Sequence, residues 1–209
     1  MKQILTVILA LTIIFSYGQE YSFAKDFKTG TIILKDGSVV EGQLKWFPSQ
    51  NGDVKFKKNE QEKTVKYTPA DLVSFSSDNM KFVPLNNFTV YSDNYALIGR
   101  PSTIKDTFAQ VISEGKINVY LVPITGYNAI SRSIENYFNF VFQDSQDPDK
   151  KLYAYPYLIR MKEKKYENAK ENLYPLFKDY PQITEKIKAF KKEDNFLEII
   201  RMIEEINKQ

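Results

Sequence analysis

The period of the hydrophobic positions changes near residue 161, and that change divides the chain. From residue 29 to about 122, apolar residues come in short β-branched or alternating runs broken by turn residues. Residues 31–34 (TIIL) are followed by Asp36-Gly37, then by Val39-Val40 and residues 44–47 (LKWF). Asp-Gly between two such runs predicts a hairpin, because Gly takes the positive φ of a primed turn without steric cost. Residues 54–56 and 65–67 alternate apolar and polar around the polar stretch 57–63 and predict a second hairpin. A third pair, 72–75 and 81–83, turns at Ser77-Asp78-Asn79, and a fourth, 108–112 and 117–122, turns at Glu114-Gly115. In Lys55-Phe56-Lys57 and Val65-Lys66-Tyr67 one face is apolar and the other charged, the mark of an antiparallel sheet with one solvated face. Pro69, Pro84 and Pro123 are expected at strand ends, where a missing N–H does least harm.

The aromatic run 137–142 (YFNFVF) reads as a strand, with Phe138, Phe140 and Phe142 at the i, i+2, i+4 spacing of a buried face. Residues 152–159 read as another strand that Pro156 confines to an edge or a bulge. The polar loop between them, 144–151, carries Asp147-Pro148. From about residue 163 the period is helical. Tyr166, Ala169, Leu173 and Phe177 share one face, with Pro175 expected to kink or shorten that helix. Pro181 suits the first position of a second helix, whose stripe is Ile183, Ile187 and Phe190. Asn195 with Glu198 resembles a capping box ahead of the stripe Phe196, Ile199, Ile200, Ile203 and Ile206. The expected fold is α+β: a curved antiparallel β-meander or half-barrel over residues 19–160, then a C-terminal group of short amphipathic helices over 161–209, packed on the sheet.

Composition chiefly excludes. The 209 residues contain no His and no Cys. That removes the Ser-His-Asp triad, a thiol nucleophile, iron–sulfur clusters, haem held by His or Cys, ordinary zinc sites and disulfides. With eight glycines, no phosphate-cradling loop motif occurs, and no cofactor is expected. Acid–base chemistry would fall to Asp, Glu, Lys and Tyr. Glu41, Asp53 and Asp71 are the carboxylates weighed for it, and their placement at turns or strand ends is accounted for by backbone capping. Ser131-Arg132-Ser133 lacks a nucleophile elbow. The loop from Asp144 to Asp149 offers oxygen ligands but departs from the EF-hand pattern at its fifth, sixth and twelfth positions.

Residues 1–18 read as a secretory signal peptide: Lys2 at the start, an apolar run over 4–15, and Ser16 and Gly18 at positions −3 and −1 of a cut before Gln19. Twelve helical residues cover about 18 Å, short of the roughly 30 Å of a hydrocarbon core, so a membrane anchor is the weaker reading. The formal net charge of +3 falls by one when Lys2 is removed. Near neutrality gives no electrostatic case for a nucleic-acid partner or for strong steering to an anionic membrane. No later run has transmembrane length. The expected location is the periplasm or the extracellular face of the envelope.

The segments 29–85 (TGTIILKDGSVVEGQLKWF … VKYTPADLVSFSSDNMKFVPL), 108–120 (FAQVISEGKINVY) and 173–207 resemble a group of exported Gram-negative bacterial proteins of unknown function. In that group a Cys-Pro usually follows the Asp of the closing helices; here Tyr180-Pro181 stands there. The resemblance implies export and an α+β plan with a β-rich N-terminal region and a helical C-terminus, and implies no activity.

Aromatic residues supply the remaining candidate chemistry. Trp46, Tyr153, Tyr155 and Tyr157 are the candidate ligand-contacting aromatics, since rings at alternate strand positions can form a platform for sugars or peptides. The competing role for each is the core. The expected function is a non-catalytic binding or structural protein of the periplasm or envelope, its partner an envelope protein or a saccharide or peptide. The alternative is a hydrolase using two carboxylates across a cleft.

Overall fold

The computed structural model describes residues 21–48, 52–91, 101–128, 133–156, 163–192 and 194–208. Residues 1–18, Ser131-Arg132 and Tyr157 lie outside the described residues. Ten described strands form one antiparallel sheet: β1 (Lys28–Leu34), β2 (Val39–Lys45), β3 (Val54–Lys57), β4 (Val65–Tyr67), β5 (Leu72–Ser77), β6 (Met80–Tyr91), β7 (Pro101–Ser113), β8 (Ile117–Asn128), β9 (Ser133–Asp144) and β10 (Tyr153–Pro156). Among the described residues four short helices accompany it: α1 (Ser22–Lys25), α2 (Glu163–Glu171), α3 (Pro181–Ala189) and α4 (Leu197–Asn207). The strand order is β10-β9-β8-β7-β6-β5-β1-β2-β3-β4. The α+β plan of a curved, open sheet followed by short amphipathic helices is therefore what the chain adopts. One step departs from a simple meander: after β4 the chain returns to pair β5 with the free side of β1.

Turn chemistry sets the hairpins. Gly37 takes φ +86° between β1 and β2. Asp78 and Asn79, at φ +52° and +60°, make the left-handed pair that a two-residue β5–β6 turn requires. Pro156 does lie on an edge strand, β10. Pro84 and Pro123 correct the strand-end expectation, because both sit inside twelve-residue strands. The reason is that each strand loses only one neighbour there. The β5–β6 ladder stops at Phe82 and the β7–β8 ladder at Leu121, each two residues before the proline, while pairing continues through Pro84↔Phe108 and Pro123↔Phe138. A residue with no N–H can serve one ladder but not two.

The consequence is a forked sheet. β7 pairs with β6 from Pro101 to Gln110 and with β8 only from Gln110 onward. The curl brings β6 and β10, with three strands between them in the order, into one apolar cluster through Leu85, Phe88 and Ala154. Asn87, at φ +54°, inverts the alternation within β6: Val83 and Leu85 face this cluster before it, Phe88 and Val90 after it.

Two further cores flank the fork. On one face of β1–β7, the rings of Tyr21, Phe23, Trp46, Phe75, Phe82 and Phe108 pack together, with Phe75 and Phe82 stacked at 4.7 Å. Here α1 is the lid, held by Trp46 N–H donating to Phe23 O. On the helical side, Ile117, Val119, Leu121, Phe138, Phe140 and Phe142 meet the inward stripes of α2–α4. The three phenylalanines are buried as their spacing predicts. Pro175 ends α2 early, and residues 173–180 continue as i→i−3 turns. The capping box at Asn195 is not formed: its Oδ1 accepts from Leu197 N–H, while the Glu198 carboxylate pairs with Lys186 of α3 at 2.7 Å. Lys170, 2% exposed, donates to the carbonyls of Lys188 and Phe190 at the end of α3 and pairs with Glu167. A buried ammonium so fully partnered ties α2 to α3. Asn207, the last residue of α4, clamps the β7–β8 hairpin. It accepts from Ile117 N–H at 3.0 Å and donates to Ile117 O at 2.8 Å and Ser113 Oγ at 2.9 Å.

Candidate functional site

Where β5 and β6 part at Pro84, a groove of about 1000 Å³ opens between β6 and β10. Val83, Pro84, Leu85 and Phe88 come from β6, and Leu152, Tyr153 and Ala154 from β10 and the loop before it. Apolar side chains floor it because they are also the rim of the cluster inside the curl. Asn86, Asn87, Thr89, Gln143 and Asn172 add amides and a hydroxyl, and Lys35, Lys150 and Lys151 add three cations. Asp149 is the one acid lining it among the described residues. A concave, part-apolar surface with a few polar groups is the ordinary form of a ligand site.

Several of these side chains are held in place. Gln143 donates from Nε2 to Lys150 O at 3.0 Å and accepts from the Tyr120 hydroxyl at 3.3 Å. Burial, reinforced by the Glu114 charge, raises the Tyr120 phenol above its usual range, so it stays protonated as a donor. The loop carrying the lysines is tied by Asp147, which accepts from Asp149 N–H and Lys151 N–H at 3.0 and 3.1 Å. Asp144 accepts from Gln146 N–H at 2.9 Å in the same way. The oxygen-rich loop thus spends these carboxylates on its own backbone, and among the described residues no three acids converge on one point. Lys150 itself takes φ +48°. The Lys151 ammonium lies 4.9 Å from the Tyr153 ring centroid, a cation–π contact at the groove rim.

The candidate aromatics divide. Tyr153 lines the groove and is half-buried. Trp46 and Tyr155 are corrected to core residues, at 1% and 2% exposure. The Trp46 indole donates to Gly52 O at 3.1 Å from inside the aromatic cluster, so no ligand reaches it. Tyr155 stacks on Phe196 at 4.0 Å and hydrogen-bonds Tyr166, whose hydroxyl donates to Phe190 O at 3.0 Å. Burial pushes the Tyr155 phenol up, and pushes that of Tyr166 up to about 12. Tyr157 lies outside the described residues.

The three carboxylates also separate. Asp71 accepts from Thr68 N–H and Oγ1, both at 2.7 Å, and those bonds hold its carboxyl below the ordinary range. Glu41 lies within β2, opposite Thr31, rather than at a turn, and Asp53 precedes β3. The groove residues Asn86, Asn87, Gln143, Lys150 and Lys151 were not singled out by sequence. The one local signal was the polar loop after β9.

Comparison with protein-family models, with curated proteins and with solved structures finds no match for this chain.

Proposed function

We propose that the protein is exported to the periplasm or outer envelope and there acts as a non-catalytic binding protein, its groove taking an acidic saccharide. The observation that carries this is the lining: amides and a tyrosine ring over an apolar floor, with three lysines against one acid. Amides and hydroxyls match sugar hydroxyls, a ring face matches the apolar face of a pyranose, and lysines match uronate carboxylates. The volume lies at the upper end of the about 300–1,000 Å³ of ligand clefts, enough for more than one sugar ring. The hydrolase alternative asks for two carboxylates facing one cleft, and Asp149 stands alone among the described lining residues. Export is supported by the pattern of residues 1–18.

The test is calorimetric titration of the secreted chain with uronate-containing oligosaccharides and with their neutral counterparts. Acidic oligosaccharides should bind, neutral ones weakly, and Lys150→Glu with Lys151→Glu should abolish the preference. Equal affinity for both classes, or none for either, rejects the saccharide reading. Fractionation with N-terminal sequencing tests export: the envelope form should begin at Gln19.

A further inference from the structure

A second site lies at the other end of the sheet and does not rest on the groove. The ladders put Lys45 opposite Lys55 and Lys55 opposite Lys66. Residues directly opposite share a face, so three lysines form a row across β2, β3 and β4. At strand spacings of about 4.8 Å the row spans roughly 10 Å. Like charges in opposed positions destabilise a sheet, so the fold carries this row against its own stability. The next register step, Leu44 opposite Phe56, holds the core on the other face, so nothing in the packing requires lysine at these positions.

The row borders a recess of about 210 Å³ also lined by Phe47, Gly52 and Asp53. Phe47 is 53% exposed, while its neighbour Trp46 points into the core. Lys45 is fixed by donating its ammonium to Lys25 O. We propose that this face docks on an anionic phospholipid surface, with the lysine row on headgroup phosphates and the Phe47 ring in the interfacial layer. A free anion would satisfy the lysines alone; the exposed ring beside them is what favours lipid. Lysine stems flanking an aromatic ring form the pattern of a surface-lying membrane contact. Whole-chain neutrality conceals the patch, because the interaction is felt only within about a Debye length.

The experiment is co-flotation of the signal-cleaved chain with vesicles of equal parts phosphatidylglycerol and phosphatidylcholine, and with pure phosphatidylcholine. Wild type should bind the anionic vesicles, release with added salt, and ignore the zwitterionic ones. Lys55→Glu with Lys66→Glu should weaken binding about 30-fold or more. Lys55→Gln with Lys66→Gln should weaken it less, with circular dichroism and Trp46 emission unchanged to show a native fold. Phe47→Ser should weaken binding while leaving its salt dependence intact. Undiminished binding by the charge variants overturns the proposal. So does a wild-type chain that ignores vesicles yet is stabilised by inorganic phosphate, which would make the recess a free-anion site.

Discussion

Asn207→Ala tests how the helices are joined to the sheet. Asn207 and Ile117 are 90 positions apart, and the amide satisfies both the N–H and the C=O of a residue 1% exposed. Leaving a buried backbone group unpaired costs about 1–3 kcal/mol. Two such groups, one shielded less than the other once the side chain is gone, put the loss at about 2–4 kcal/mol. For a chain of this size each kcal/mol moves the midpoint by about 2–4 °C, so Tm should fall by about 4–16 °C. The assay is urea unfolding followed by circular dichroism and by emission of Trp46, the only tryptophan. The clamp makes a second demand. A Cβ on Gly115 would overlap Asn207 Cβ and Cγ, so Gly115→Ala should destabilise the native chain. In the Asn207→Ala background the overlap with Cγ is relieved and only that with Cβ remains, so the two losses should fall short of additivity by more than the roughly 0.5 kcal/mol seen for independent sites. Additive losses, or a single-variant loss under about 0.5 kcal/mol, would refute the clamp.

Three further outcomes follow from the same structure. Trp46→Ala empties the centre of the aromatic core under α1 and should cost about 3–5 kcal/mol in denaturant unfolding, with Trp46→Phe costing less. Lys55→Glu converts two repulsive cross-strand pairs into attractive ones and should raise stability by roughly 0.5–1 kcal/mol, after allowance for exposure, while lowering vesicle binding. The phenols of Tyr155 and Tyr166 are raised above the unfolded value of about 10, so the folded state holds protons that the unfolded state has released. Their contribution is complete below about pH 10 and is lost as pH climbs toward the folded values. Urea midpoints should therefore be flat with respect to these groups at pH 9 and fall by pH 11, and Tyr155→Phe should lessen that fall.

Local chemistry was readable and remote pairing was not. Asp36-Gly37, Asp78-Asn79 and Glu114-Gly115 marked their hairpins because a turn is decided by three or four adjacent residues. The helical stripes and the Phe138, Phe140, Phe142 face were readable for the same reason: one element's period shows which side is buried. Trp46 could have been placed, since it shares parity with Leu44 and both point inward, with Phe47 left outside. Tyr155 could not. Tyr153 and Tyr155 have the same parity, and only the packing of Phe196 and Tyr166 on β10 buries one and leaves the other at the groove. The groove was hidden because its wall comes from β6 and its rim from residues 149–154, which meet only when the sheet curls.

The two misplaced prolines explain why that groove exists. A strand in the middle of a sheet must offer hydrogen-bond donors to both sides, and a proline can satisfy one side at most. Pro84 stands where β6 leaves β5, and Pro123 where β8 leaves β7. Between them the sheet must fork, and the curl that follows brings β10 toward β6 without joining the two in a ladder. An all-donor sequence at these positions could extend both ladders and draw the strands together. Pro84→Val is therefore the informative change. If the proline holds β5 and β6 apart, amide exchange should slow at residues 72–74 and 83–85 in the variant, and affinity for the groove ligand should drop with the narrowing. Unchanged exchange would mean that the splay comes from the curl itself, with Asn87 and its left-handed backbone as the next residue to alter.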